Sequence, residues 1–138
     1  MVWSSQPKDC QSTASFQPLQ IVYLEHETIR LYAEVVQTAE GRQICWVRPL
    51  ALVEDETKQY QAEYTFCFDQ ILDLRQGSDL LLPAVLFRMA LDTEALPVLA
   101  MLGATPPPEN LQSITRLRLN QFVKQVCMAN PDLFSSEV

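Results

Sequence analysis

From Thr28 to Gln37 the chain alternates: Ile29, Leu31, Ala33 and Val35 fall on one side, and Thr28, Arg30, Tyr32 and Glu34 on the other. Successive side chains of an extended backbone point to opposite faces, so a period of two predicts a half-buried β-strand and conflicts with a helical stripe. The same alternation recurs downstream. Tyr60, Ala62, Tyr64, Phe66 and Phe68 share one face, opposed by Gln59, Gln61, Glu63 and Thr65. Two such segments over a common apolar interior predict an antiparallel sheet.

Gln43–Val53 is the expected hairpin partner of the first segment, joined to it across Thr38–Arg42, where Gly41 can take the positive φ of a tight turn. Ile44 and Trp46 alternate with Cys45 and Val47, so this strand is apolar on both faces and predicts cover on both. Pro49 lacks a backbone donor and predicts a bend or an edge. Upstream, Ile21–Glu25 is β-like, either a separate strand after a turn at His26-Glu27 or the start of one long bent strand. Ile71–Leu74 supplies a short closing strand. Residues 1–18, rich in Ser, Gln and Thr, read as a flexible lead to a single domain over 19–138.

After Ser78 the texture turns helical. Ala84–Leu91 is dense in helix formers with Pro83 at a first-turn position, and Thr93 reads as the cap of a second short helix ending at Gly103. Pro97 fits that helix only within its first turn. Thr105-Pro106-Pro107-Pro108 is a stiff break, and Asn110 caps a last helix to about Ala129 with Leu111, Ile114, Leu117, Phe122, Val123 and Val126 as its apolar stripe. The expected fold is α+β: a four- to five-stranded antiparallel barrel or curled sheet, SH3-like in strand count, over 19–76, followed by two or three packed helices.

Composition then narrows the function. The net charge is −7, and residues 19–76 hold ten acids against five bases. Nucleic acid is bound chiefly by neutralising phosphates with Lys and Arg, so no nucleic-acid partner and no anionic lipid surface is expected. Cys10, Cys45, Cys67 and Cys127 are irregularly spaced with a single histidine, His26, which argues against a zinc site and for free thiols. The N-terminal residues carry no apolar signal core, and the longest apolar stretch, Leu80–Leu91, is broken by Pro83 and Arg88. A cytoplasmic protein without a membrane span is expected.

Catalytic signatures are weak. His26 between Glu25 and Glu27 has no spacing that directs either carboxylate at the ring, and Cys45 and Cys67 lie among strand residues as small apolar side chains do. Glu54-Asp55-Glu56 lacks the donor spacing of a calcium loop. Gly41, Gly77 and Gly103 are too scattered to cradle a phosphate, so no cofactor is expected. Trp46 and Arg48 share a strand face, with Arg30 and Tyr32 expected opposite them across the hairpin. Aromatic and arginine side chains in that combination are enriched at protein-recognition surfaces. These four residues are the candidate partner site, and as exposed strand arginines Arg30 and Arg48 are expected to matter little to stability. The competing expectation is that the chain's own helices cover Trp46.

The runs Tyr23-Leu24-Glu25-His26, Arg30-Leu31-Tyr32-Ala33-Glu34-Val35-Val36-Gln37 and Cys45-Trp46-Val47-Arg48-Pro49-Leu50 resemble small uncharacterised proteins of cyanobacteria. The resemblance covers about Ile21 to Leu52 and implies a cytoplasmic setting in a photosynthetic bacterium, with no activity that transfers to individual residues. The reading as a whole is a non-enzymatic interaction or assembly-factor module with a protein ligand. Its alternative is a small enzyme or ligand-binding domain using a cleft between barrel and helices, with His26, Arg48 or a cysteine as polar groups. The apolar excess of Leu80–Leu102 is either core or an oligomer face, and so leaves room for a homo-oligomer.

Overall fold

A computed structural model describes residues 16–39, 43–54, 70–104 and 113–134. Strands β1 (Ile21–His26) and β2 (Ile29–Ala39) are joined by the two-residue turn Glu27-Thr28, with Glu27 at φ 59°, and pair antiparallel from Ile21 opposite Glu34 to His26 opposite Ile29. They are therefore two strands, not one bent one. The long hairpin follows as expected: β3 (Ile44–Glu54) runs back along β2 from Ala39 opposite Ile44 to Ile29 opposite Glu54.

β3 also carries two short partners on its other edge. β4 (Gln70–Asp73) pairs with Ala51–Glu54, and β5 (Leu80–Pro83) with Ile44–Val47. Between them the chain makes an excursion at residues 74–79, tied to β3 by the Leu74 amide donating to the Leu50 carbonyl at 2.9 Å. Pro49 sits where the partner changes, and the β2–β3 register slips by one residue there, since Tyr32 faces Ala51 while Ala33 faces Pro49. A residue without an N–H is well placed at such a bulge. β6 (Arg88–Met89) closes the opposite edge against Val22 and Tyr23 of β1.

The six described strands form an open sheet, β4 and β5 at one edge and β6 at the other; of the barrel and the curled sheet expected, the closed barrel is not formed among the described residues. A barrel has one lined interior, whereas this sheet has two covered faces. On one face Leu31, Ala33, Val35, Cys45, Val47 and Leu52 pack with Leu119, Phe122 and Val126 of helix α2 (Ser113–Ala129). On the other, Tyr23, Tyr32, Ala51 and Val53 pack with Val98 and Leu102 of helix α1 (Asp92–Gly103). The double-sided apolarity of β3 is met by these two helices. A short helix α3 (Pro131–Phe134) follows α2.

Three local expectations are corrected. The helix expected at Ala84–Leu91 is a 3-10 turn, Ala84–Leu86, between two strands. Pairing with the open edges of β3 and β1, with Leu82 and Phe87 buried, overrides the helical propensity. Helix α1 begins one residue before Thr93, and the Glu94 carboxylate caps it by accepting from the Leu91 amide at 2.8 Å; Pro97 lies beyond the first turn. In α2 the buried face is Thr115, Leu119, Phe122 and Val126, with Val123 beside it, while Ile114 and Leu117 are exposed. The expected strand Tyr60–Phe68, the lead 1–15, Gly41, the proline run, Asn110 and Leu111 lie outside the described residues.

Candidate functional site

The β2–β3 register divides the four candidate residues. Trp46 stands opposite Gln37 and Arg48 opposite Glu34, while Arg30 faces Val53 and Tyr32 faces Ala51, so the arginines do not oppose one another as expected. All four lie on the sheet face that α1 covers, but α1 covers only one end of it.

Arg30 and Tyr32 lie at the covered end. Tyr32 is buried, its ring centroid 5.7 Å from that of Tyr23, and the Arg30 guanidinium sits 4.2 Å over the Tyr23 ring. Arg30 also donates to the Tyr32 hydroxyl at 3.1 Å and to Glu94 Oε2 at 3.4 Å, and approaches Glu25 Oε1 at 3.5 Å. Burial opposes the Arg30 charge, but the Tyr32 hydroxyl, Tyr23 and Glu94 outweigh it and hold the guanidinium pKa above its usual value. For Tyr32, burial dominates and pushes the phenol up. Glu94 thus joins the first turn of α1 to the sheet. Replacing Arg30 with alanine is expected to cost about 1–2 kcal/mol, because it removes a cation–π contact and leaves Glu94 partly buried without its partner. Arg48→Ala should leave the melting temperature unchanged. Paired thermal melts check the contrast, and equal losses would contradict it.

Trp46 and Arg48 lie where α1 does not reach. Trp46 is 38% exposed, and Leu81, directly opposite it on β5, is 67% exposed. The indole Nε1–H donates to Asp79 Oδ2 at 2.8 Å, and Arg48 Nε donates to Asp79 Oδ1 at 3.4 Å. Asp79 closes the excursion between β4 and β5. The start of that excursion is held by Arg75, whose guanidinium grips Asp73 through Nη2–Oδ2 at 2.7 Å and Nε–Oδ1 at 3.0 Å. Burial alone would raise the Asp73 pKa; the Arg75 hydrogen bonds more than reverse this and lower it. The result is a fixed indole face, a guanidinium whose Nη groups have no partner among the described residues and an exposed leucine, on one patch that α1 does not cover. Asp79 and Leu81 were not legible as members of it, since no spacing rule links a turn residue at 79 to a strand residue at 46.

His26 lies elsewhere, near the end of β1. Its ring meets Phe122 edge-on at 6.4 Å, and Nε2 is 3.7 Å from Glu27 Oε2, too long for a hydrogen bond, while Glu25 turns to Arg30. Cys45 and Cys127 are free thiols; Cys10 and Cys67 lie outside the described residues. Burial pushes the Cys45 thiol up to about 11. It stays protonated in the fold, so its stabilising contribution is complete below its ordinary value near 9 and is lost as the pH rises towards 11. Native alkylation near neutral pH should therefore label the half-buried Cys127 long before Cys45, as peptide mapping would show. Equal labelling would mean that Cys45 is not enclosed. Glu54 of the acidic run holds Arg118 of α2 at 3.3 Å, and Asp55 and Glu56 lie outside the described residues.

No described helix is long and apolar enough to cross a membrane, and no metal-holding group of three or more His, Cys, Asp or Glu is gathered among the described residues. No family model, no curated protein and no solved structure matches this chain.

Proposed function

We propose that this chain is a non-enzymatic interaction or assembly module that docks a protein partner on the sheet face at Trp46, Arg48 and Leu81. The observation that carries the reading is the Asp79 bridge. A partly exposed tryptophan satisfied through its N–H, and thereby held in one orientation, loses little rotamer freedom when a partner covers it. Tryptophan and arginine are also the residues that most often dominate binding energy at interfaces.

The chemistry of the patch suggests its counterpart. Arg48 donates through Nε to Asp79, and its two Nη groups, which make no hydrogen bond or ion pair among the described residues, can donate to a carboxylate, while the indole face and Leu81 take an apolar side chain. A partner segment carrying an acidic residue beside an apolar one fits both. The cytoplasm is the setting that keeps Cys45 and Cys127 as thiols.

A photo-crosslinking amino acid at position 81 tests the reading in cells, with the same amino acid at position 96, an exposed leucine of α1, as the comparison. An adduct with a defined protein at 81 and none at 96 is expected. No adduct at 81, or the same adducts at both sites, would overturn it.

A further inference from the structure

We propose that the partner segment binds as an added β-strand along the open edge of β5, carrying an apolar residue and, two positions away, an acidic one. The inference rests on the docking surface at Trp46, Arg48 and Leu81 and extends it to the mode of binding. β5 has β3 as its only strand neighbour among the described residues. One hydrogen bond shows which backbone groups of β5 face the open side: the Ala84 amide, one residue past the strand, donates to the Gln43 carbonyl at 2.9 Å. Backbone groups of successive strand residues turn to opposite sides, so those of Leu82 and Leu80 also face β3. Leu81 therefore directs its N–H and C=O outward. Pro83 adds a carbonyl on the same side and, lacking an N–H, leaves no donor unpaired there.

An unpaired strand edge is a template for another strand, and proteins usually guard one with charged side chains. Leu80, Leu81 and Leu82 provide none. The side chains of an added strand alternate between the two faces of the sheet. The one opposite Leu81 falls in a row with Leu81 and Trp46, where an apolar group fits. Its neighbour, opposite Leu80, falls on the α2 face, where a hollow of about 210 Å³ lies between residues 76–78 and Arg116, Leu119 and Asn120 of α2. That is below the roughly 300–1,000 Å³ of small-molecule sites and suits a single side chain. The next residue returns to the Trp46 face, beside Asp79. Arg48 already reaches across to Asp79 and so aims its guanidinium at this edge, where a carboxylate on the added strand meets it. A second copy of the chain fits less well: two β5 strands paired antiparallel about Leu81 set Asp79 against the other copy's Pro83 and bring no new acid to Arg48.

Random peptides displayed on phage, selected on the full chain and counter-selected on folded Arg48→Glu protein, supply the probe. The selected sequences should share an apolar residue with Asp or Glu two positions away. In the free protein the Leu81 amide should exchange with solvent much faster than those of Leu80 and Leu82, which are bonded to β3. A selected peptide at about ten times its dissociation constant should slow Leu81 exchange about tenfold. Methylating the peptide's backbone nitrogens one at a time should weaken binding by about fivefold or more at alternate positions and little between them, the signature of strand pairing. Selected peptides without that spacing, none that distinguish wild type from Arg48→Glu, or a Leu81 amide already slow in the free protein would overturn strand addition. So would Leu81 exchange unchanged in the complex; if that peptide still shields Trp46 from a quencher, the docking surface stands and only its mode is wrong. Leu81 protection that grows with protein concentration alone would mean self-pairing instead, and would equally overturn the proposal.

Discussion

Truncating Phe122 to alanine should lower the unfolding free energy by about 3–5 kcal/mol, the range for a buried aromatic whose site cannot fully collapse. Phe122 is 2% exposed and joins the α2 face to the main core with Leu119 and Val126. Ile114→Ala and Leu117→Ala, on the outer side of the same helix, should each change stability by no more than about 0.5 kcal/mol. Urea unfolding of the three variants measures both figures, provided the slope with denaturant stays constant. A large loss at Leu117 and a small one at Phe122 would mean that the helix packs with a different face.

That contrast marks where the sequence was readable and where it was not. The alternation in β2 was unambiguous because each inward position, Leu31, Ala33 and Val35, is apolar and sits in one core. In α2 apolar residues occur on several sides of the helix, and the buried face includes Thr115, a residue no hydrophobic stripe would include. The 80–91 segment misled for another reason. Its residues are good helix formers, but two open sheet edges are available to them, and strand pairing with burial of Leu82 and Phe87 outweighs local preference.

The candidate site was legible in half. Alternation correctly placed Trp46 and Arg48 on one face, because Cys45 and Val47, which alternate with them, are fully buried on the other. It could not reveal that α1 covers Arg30 and Tyr32 and stops short of Trp46, because that depends on where a helix some fifty residues downstream comes to rest. Nor could it supply Asp79.

Trp46→Ala should weaken partner binding by at least about 30-fold, the effect of losing a hot-spot residue worth 2 kcal/mol or more. Its stability cost should be about 1–2 kcal/mol, below that of a core tryptophan, because part of the ring already faces solvent. Arg48→Glu should weaken binding comparably, since it sets a carboxylate against the partner's acidic residue, and should cost at most about 1 kcal/mol of stability through like charge beside Asp79 and opposite Glu34. Asp79→Asn is a finer probe: it keeps an acceptor for the indole N–H while weakening the hold on Arg48, so its effect should fall between wild type and Arg48→Glu. Full partner affinity in both Trp46→Ala and Arg48→Glu would remove this face from consideration.

Acrylamide quenching of Trp46 tests the central claim most directly. The chain has two tryptophans, so a Trp3→Phe protein reports on Trp46 alone. In the free protein its emission should be readily quenched, as expected of an indole 38% exposed on an uncovered sheet face. Saturation with the crosslinked partner, once identified, should shield it. Emission already shielded in the free protein, or still open to quencher in the complex, would contradict a docking surface at Trp46.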